Sequence, residues 1–218
     1  MHLILYFLYI NIKDYNMNAF DFLNRINVIN LDKYPERWQQ AETEFKKYNI
    51  TNYERFPGII VNEGKTLQDR ELGCSLSHKT IIRKARFENQ PYVTIAEDDF
   101  VFDDRILNYI GNIDRFLKTN SWEMFYFGGN NLINPVPING CVGRVFKTYT
   151  THFYMINRMV YDIVLNENTN MPIDMVYSDL IQSRKNSLCC IPKLAYQRPN
   201  FSFIQDGFRD YTNVLKDN

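Results

Sequence analysis

The feature that most constrains the fold is an uninterrupted apolar run that ends in three acids. Residues 92–96 read YVTIA and are followed at once by Glu97, Asp98 and Asp99. An apolar run of this kind is typical of a strand that is covered on both faces. Because unpaired buried carboxylates cost several kcal/mol each, the acids must lie beyond the strand interior. The run therefore predicts a buried strand of an α/β sheet whose carboxyl end presents the acids.

The rest of the chain alternates between strand and helix patterns. Residues 25–31 predict a short buried strand, and Pro35 suits the first turn of a helix with an apolar stripe. The other predicted strands are 53–60, 124–127, 143–148, 152–156 and 188–197, the predicted helices are 71–87, 104–117 and 158–167, and 64–70 is a predicted loop. This alternation predicts an α/β domain with a mixed, mainly parallel central sheet and helices on both faces.

Length and composition favour one domain. The 218 residues are enough for one good hydrophobic core, and we find no repeat or linker. We expect residues 1–20 to be an N-terminal extension, disordered or a short helix, before a domain at 21–218. The apolar residues 2–10 are too few to cross a bilayer, so we expect at most peripheral membrane contact. Four cysteines without a CxxC pair favour a reduced, cytoplasmic protein.

The charge balance argues against a nucleic-acid partner. The formal net charge is zero, and nucleic-acid-binding domains are usually basic. Lys79, Arg83, Lys84 and Arg86 do cluster, but at a helical spacing that is typical of a solvated helix face.

The three acids have the chemistry of a metal site. Side chains alternate along an extended backbone, so Glu97 and Asp99 are expected on one side and Asp98 on the other. The carboxyl ends of strands border the ligand crevices of open α/β sheets. Two carboxylates there make a hard-oxygen site that suits Mn²⁺ or Mg²⁺. A solvated turn that caps the following helix is the alternative.

Two further residues are candidates with structural alternatives. His78 lies on the apolar face of a predicted helix, where a core histidine with a satisfied hydrogen bond is the alternative to a functional one. Asp174 follows Pro172 near a predicted helix start, where N-capping is the alternative to a chemical role.

Four separate stretches resemble glycosyltransferase family 25. They are VINLDKYPERW at 28–38, ELGCSLSH at 71–78, TIAEDDFVF at 94–102 and PID at 172–174. The segments at 122–129, 151–157 and 191–207 are similar to further segments of that family, so the resemblance covers roughly residues 24–207. The family includes bacterial lipooligosaccharide galactosyltransferases and the collagen hydroxylysine galactosyltransferases.

The resemblance implies both a reaction and a set of site residues. It implies a GT-A-like fold and an inverting, Mn²⁺- or Mg²⁺-dependent transfer of galactose or glucose from a UDP-sugar. The acceptor would be a hydroxyl of a glycan, a lipooligosaccharide or a hydroxylysine-containing protein. The residues it implicates are Asp174 as general base and His78 for catalysis, Asn30, Leu31, Asp32, Arg37, Ser77, Glu97 and Asp98 for donor binding, and Asp99 with Glu97 for the metal.

Three other functions fit parts of the pattern. One is a non-catalytic nucleotide-sugar or glycan-binding module, against which the intact acidic triplet argues. Another is a metal-dependent phosphoester hydrolase, for which three histidines are a poor supply of ligands. The third is an interaction protein of a cell-surface or virion glycan pathway. A bacterial and a viral source are both compatible with the sequence.

Overall fold

The structure, a computed structural model, describes residues 18–215. Residues 1–17 of the predicted N-terminal extension therefore lie outside the described residues. The strands are β1 (Ile26–Asn30), β2 (Tyr53–Pro57), β3 (Tyr92–Glu97), β4 (Phe100–Phe102), β5 (Met124–Tyr126), β6 (Asn130–Asn131), β7 (Val136–Pro137), β8 (Val142–Arg144), β9 (Thr148–Tyr149), β10 (Phe153–Asn157), β11 (Ser187–Cys190), β12 (Ala195–Gln197), β13 (Asn200–Ser202) and β14 (Gly207–Arg209). The α-helices are α1 (Pro35–Lys47), α2 (Leu67–Phe87), α3 (Ile106–Thr119), α4 (Tyr161–Leu165), α5 (Ile173–Leu180) and α6 (Thr212–Leu215).

Eight strands form the central sheet in the order β2-β1-β3-β10-β5-β11-β8-β7. β1 runs parallel to β2 and β3, and β5 runs parallel to β11. β10 and β8 are antiparallel to their neighbours, so they run opposite to the other six strands. The predicted mixed, mainly parallel sheet is confirmed.

Helices cover both faces of this sheet, as predicted. Successive residues of β5 alternate between the two cores, because side chains of a strand point to opposite faces. Phe125 belongs to a core shared with α1 and α3, whereas Met124 and Tyr126 belong to a core shared with α2, α4 and α5. The sheet is therefore the middle layer of three, and the ends of its strands remain accessible between the helices.

Helix α2 begins earlier than the sequence indicated. The segment 64–70 was predicted as a loop, but α2 starts at Leu67. Thr66 accepts a hydrogen bond from the Asp69 amide, and the Asp69 carboxylate accepts one from the Thr66 amide, which is a reciprocal capping box. These caps satisfy backbone amides that a helix start leaves unpaired, so the polar residues extend the helix by a turn.

Replacing Thr66 by Ala is expected to lower the free energy of unfolding by about 1 kcal/mol, because the cap of α2 is lost. Urea unfolding followed by tryptophan fluorescence measures this change. Thr43→Ala is the matched control, since the Thr43 hydroxyl bonds only its own helix backbone on the surface. Equal stabilities of the two variants would show that the cap contributes nothing.

Three predicted elements of the second half are broken in the structure. The strand predicted at 143–148 is divided into β8 and β9, and the helix predicted at 158–167 is a 3₁₀ turn (Arg158–Val160) followed by the short α4. The extended segment predicted at 188–197 is interrupted by Pro192, which has no amide to donate to a ladder. Its second part, β12, leaves the central sheet and pairs with β4.

The basic cluster on α2 is only partly a solvated face. Lys79 is buried and forms an ion pair of 2.9 Å with Glu167, whereas Arg83, Lys84 and Arg86 are exposed.

All four cysteines are free. Between residues 18 and 215, none of the helices combines the length and the apolar character that a membrane crossing requires.

Candidate functional site

A cavity of about 410 Å³ lies where β1 and β3 end. These strands are parallel neighbours, with Ile29 opposite Glu97, so their carboxyl ends meet at one edge of the sheet. The first half of α2, the start of α5 and the β13–β14 hairpin complete the wall. The cavity brings together eight of the ten residues that the sequence implicated: Leu31, Arg37, Ser77, His78, Glu97, Asp98, Asp99 and Asp174.

Arg37 of α1 joins two of the three acids. Its Nη2 forms ion pairs with Asp98 Oδ1 and, at 3.1 Å, with Asp99 Oδ2. Strand alternation placed Asp98 apart from Asp99, and this part of the expectation is wrong. β3 ends at Glu97, and the chain turns through the two aspartates. Asp98 and Asp99 therefore share the guanidinium.

Glu97 faces α2 and is held by two neighbours. Thr151 Oγ1 donates a hydrogen bond to Glu97 Oε1, and His78 Nε2 lies 3.7 Å from the same oxygen. Burial raises the pKa of Glu97, but the contact with His78 and the hydrogen bond from Thr151 outweigh burial and bring the pKa below its ordinary value. Glu97 is therefore an ionised carboxylate in the cavity wall.

Asn30 and Asp32 do not line the cavity. Asn30 is buried, and its Nδ2 donates to Asp98 Oδ2 at 2.6 Å while its Oδ1 accepts from Arg55 Nε at 2.7 Å. Asp32 is exposed and pairs with Arg55. The contribution of Asn30 is thus to hold Asp98 in place, and Asp32 bonds Arg55 outside the cavity lining.

Ser77 fixes the part of the cavity wall that α2 forms. Its Oγ accepts from the Ile59 amide and donates to the Gly73 carbonyl, both at 2.8 Å. A Cβ at Gly73 would lie 2.4 Å from the Ile59 carbonyl oxygen, so glycine is what allows α2 to contact this loop. The glycine and serine of the ELGCSLSH motif therefore set the distance between α2 and the loop after β2.

Asp174 lines the same cavity as Glu97, Asp98 and Asp99. It is in the first turn of α5, but the residue at the N-cap is Pro172, so the N-capping alternative is wrong. Its Oδ1 accepts from the Met175 amide at 2.9 Å and its Oδ2 from the Thr150 amide at 3.4 Å. Burial raises the pKa of Asp174, although these backbone bonds oppose the shift. The result is a carboxylate of increased basicity that faces the cavity.

The acids of β3 carry more negative charge than Arg37 neutralises. Burial raises the pKa of Asp99 to about 7 in spite of Arg37, because the charges of Glu97 and Asp98 act in the same direction. Burial also raises the pKa of Asp98. A divalent cation would relieve this excess charge, and carboxylate oxygens are the ligands that Mn²⁺ and Mg²⁺ prefer. Asp99 and Glu97 thus fit a hard-cation site.

Replacing Asp99 by Asn is expected to stabilise the metal-free protein at about pH 8 by on the order of 1–2 kcal/mol. The carboxyl ionises near pH 3.9 in the unfolded chain and near pH 7 in the folded one. Wild-type protein therefore loses stability as the pH rises from about 4 through about 7, whereas the amide does not titrate. Urea unfolding at about pH 3, pH 4 and pH 8 in EDTA measures the difference.

Asp104→Asn is a control of opposite sign for this experiment. The hydrogen bond from Lys47 lowers the pKa of the exposed Asp104, so its loss should destabilise the protein more at about pH 8 than at about pH 3. Destabilisation by Asp99→Asn at about pH 8 would instead mean that the ionised Asp99 gains more from Arg37 than it loses by burial.

Most of the positive charge in the cavity was not predicted from the sequence. Four arginines line it: Arg37, Arg70, Arg198 and Arg209. Arg70 donates to the neutral carbonyl oxygens of Gly64 and Ile204, so its positive charge is not neutralised by those contacts. Arg198 lies in the segment 191–207, which carries part of the family resemblance, and Arg209 lies just beyond it. Because an irregular tail does not reveal which surface it folds over, neither arginine could be assigned to the cavity.

Three uncharged residues were also missed. Thr151 and Cys74 line the cavity beside Glu97, and Gln197 Nε2 lies 3.4 Å from Asp99 Oδ1. Cys74 and Thr151 both lie in segments that carry the family resemblance, but no role was predicted for either side chain.

Comparison with known proteins identifies related sequences. A family model described as Glycosyltransferase family 25 (LPS biosynthesis protein) matches residues 24–135, just over half of the chain. A "Glycosyltransferase 25 family member" of Aedes aegypti is 26% identical over 136 residues, 50% of this chain and 22% of that protein. A "Probable inactive glycosyltransferase 25 family member 3" of Rattus norvegicus is 30% identical over 92 residues, 40% of this chain and 16% of that protein. The matched segments span about a fifth of the length of these relatives.

Two solved structures are similar over most of the chain. A197 from STIV has a TM-score of 0.48 and 9% identity, and covers 89% of this chain and 95% of its own. A glycosyltransferase involved in the glycosylation of the major capsid of PBCV-1 has a TM-score of 0.47 and 13% identity, with 84% and 95% covered. The family model spans both the α2 motif and the acids of β3, and the resemblance seen in the sequence is confirmed: the chain belongs to glycosyltransferase family 25.

Proposed function

We propose that this chain is a metal-dependent, inverting glycosyltransferase with a GT-A-like arrangement. It would transfer galactose or glucose from a UDP-sugar to a hydroxyl of a glycan, a lipooligosaccharide or a hydroxylysine-type acceptor. The observation that carries the proposal is the one cavity that joins the acids of β3, Asp174 and four arginines. Membership of family 25 supports sugar transfer as the reaction class.

The arginines provide the charge that a diphosphate requires. A guanidinium is always protonated and matches phosphate oxygens with two parallel donors. Arg70 and Arg209 make their described hydrogen bonds to uncharged carbonyl and amide oxygens, which leaves their charge for an anionic ligand. The β13–β14 hairpin carries Arg209, so this hairpin would form one side of the diphosphate pocket.

Asp99 and Glu97 are the residues that would hold the cation, and Arg37 and Asn30 orient the neighbouring Asp98. A bound Mn²⁺ or Mg²⁺ supplies Lewis-acid stabilisation of the negative charge on the departing diphosphate. Thr151 keeps the Glu97 carboxylate turned into the cavity. These contacts support the proposal that the anionic end of the donor binds at the β1–β3 edge.

Asp174 would act as the general base. In a single inversion the acceptor oxygen attacks the anomeric carbon as the bond to UDP breaks, and the hydroxyl proton passes to a carboxylate. Asp174 lines the same cavity and has a pKa raised by burial, so it is a better proton acceptor than an exposed aspartate. No covalent sugar–enzyme intermediate is needed.

A non-catalytic nucleotide-sugar or glycan-binding module is the second candidate. The observation that favours it is the name of the rat relative, which calls that protein probably inactive. The two functions share donor binding and differ in turnover, so sugar transfer with release of UDP distinguishes them.

Donor binding itself is tested with UDP and uridine in the presence of Mn²⁺. We expect UDP to bind at least about a hundredfold more tightly than uridine, because two or more charge-assisted contacts to phosphate are each worth about 1.5–3 kcal/mol. Titration calorimetry measures both affinities. Equal affinities, or no binding of either, would contradict the assignment of the arginines to a diphosphate.

A further inference from the structure

A second set of ligand atoms lies beside the acids, on Cys74, His78 and Glu97. Cys74 and His78 are four residues apart in α2, so their side chains share one face of the helix. Glu97 at the end of β3 faces them, and one ligand atom from each residue lies within 4.8 Å of the other two. All three residues line the cavity.

His78 is oriented so that Nδ1 is held by a hydrogen bond, whereas Nε2 makes none within the described residues and lies 3.7 Å from Glu97 Oε1. Its Nδ1 lies 2.9 Å from the Tyr154 hydroxyl, which is itself 2.7 Å from the Tyr177 hydroxyl. Although His78 is completely buried, its Nε2 has no hydrogen-bond partner among residues 18–215. Buried polar atoms nearly always have a partner, so this nitrogen needs an explanation. Metal-ligating histidines usually have their second nitrogen held in this way.

The mixture of donor atoms favours a zinc-class ion. Zn²⁺ binds thiolate, imidazole and carboxylate together, whereas Mg²⁺ prefers oxygen ligands alone. Donor atoms of a tetrahedral zinc site lie about 3.5 Å apart. The ligand atoms of Cys74, His78 and Glu97 lie within 4.8 Å of one another. Zinc binding therefore requires their widest separation to shorten by about 1 Å. His78 Nε2 and Glu97 Oε1 are already 3.7 Å apart. Thr151 fixes the carboxylate through Oε1, as a second layer of contacts does in known metal sites.

The surrounding charge also favours a cation. Asp99 and Asp174 line the same cavity as the three ligands, and both carboxylates add negative charge close to Cys74. Three protein ligands in a cavity wall leave a fourth coordination position for a water molecule or another ligand, as in exchangeable rather than structural zinc sites.

We propose that Cys74, His78 and Glu97 bind one zinc-class divalent cation whose fourth position opens into the cavity. Binding converts the Cys74 thiol into a thiolate, and its proton leaves to solvent. Glu97 also belongs to the proposed hard-cation pair, Glu97 and Asp99. Zinc at Cys74 and His78 would therefore compete with Mn²⁺ or Mg²⁺ for the Glu97 carboxylate. The proposal concerns metal binding alone and does not rest on the transferase activity.

Cobalt titration of the full chain without a sugar donor tests the site. Co²⁺ reports its own ligands, because a thiolate ligand adds a charge-transfer band in the near ultraviolet. We expect the band to saturate at about one Co²⁺ per chain and to disappear when Zn²⁺ displaces the cobalt. Cys74→Ser should lose the band, and His78→Gln should weaken Co²⁺ binding by at least about tenfold.

Cys141→Ser is the matched control and should keep the band, because Cys141 is a free buried thiol outside the cavity lining. The proposal is overturned by a folded wild-type protein without a thiolate band, or by a band that survives in Cys74→Ser. A spectrum typical of oxygen ligands alone would assign the bound ion to the Glu97–Asp99 pair and would also overturn it.

A measurement on the wild-type chain decides the matter if Cys74→Ser does not fold. Zn²⁺ at about ten times its Kd should slow alkylation of Cys74 by about tenfold, because a bound thiolate is protected. Mass spectrometry of the Cys74 peptide gives the rate, and Mg²⁺ at the same concentration should give no protection. An alkylation rate that Zn²⁺ leaves unchanged would overturn the proposal.

Discussion

Replacing Asp99 by Ala is expected to lower metal-dependent release of UDP from a UDP-sugar by about a thousandfold. Loss of the cation's stabilisation of the leaving diphosphate costs several kcal/mol, and about 1.4 kcal/mol corresponds to a factor of ten in rate. The fold should survive, because burial and two neighbouring charges raise the pKa of Asp99 to about 7 and make its ionised form unfavourable. Steady-state assays with and without Mn²⁺ measure the effect.

Asp104→Ala is the matched control for this substitution. Asp104 follows β4 only five residues later in the chain, but it is exposed and pairs with Lys47 outside the cavity. It should keep activity within about twofold, as surface substitutions usually do. Full activity of Asp99→Ala would show that Asp99 does not hold the cation. Loss of its melting transition would show that the paired aspartates are needed for folding.

Replacing Asp174 by Asn is expected to reduce the transfer rate by about 10²–10⁴ and to leave UDP binding unchanged. The amide oxygen can still accept the hydrogen bond from Met175, so the start of α5 is preserved, but the side chain can no longer take a proton. Because burial raises the pKa of Asp174, wild-type activity should fall as the pH decreases through that pKa. The variant should lack this acid-side decrease.

Asp179→Asn provides the control on the same helix. Asp179 is in α5, is exposed and does not line the cavity, so the substitution should change neither the rate nor its pH profile. The assignment of Asp174 as general base would be refuted by a variant that transfers sugar at the wild-type rate. A weakened affinity for UDP would instead place Asp174 in donor binding.

The position of the acids could be predicted from sequence because it depends on local pattern. An apolar run followed by three acids requires the strand to end at Glu97, and parallel strands end at the same edge of the sheet. The start of α2 also had a local signal, since Thr66 and Asp69 have capping-box spacing. Residues 64–70 were nevertheless predicted as a loop, because most of them are polar.

The partners of the acids could not be predicted, because they depend on turns and on distant segments. Strand alternation fails after Glu97, where the chain turns, so the joint contact of Asp98 and Asp99 with Arg37 is a tertiary result. The β13–β14 hairpin covers the site with residues about a hundred positions later than the acids. Its arginines were therefore invisible to an argument based on spacing.

We propose that this cavity binds a UDP-sugar and uses a metal to release UDP. Incubation of purified protein with a panel of UDP-sugars and Mn²⁺, with and without EDTA, tests it directly. We expect UDP to be released from one UDP-sugar, or from a narrow set such as UDP-galactose and UDP-glucose, and EDTA to stop the release. No release, together with no shift of the melting temperature by UDP or Mn²⁺, would contradict it and favour a binding module.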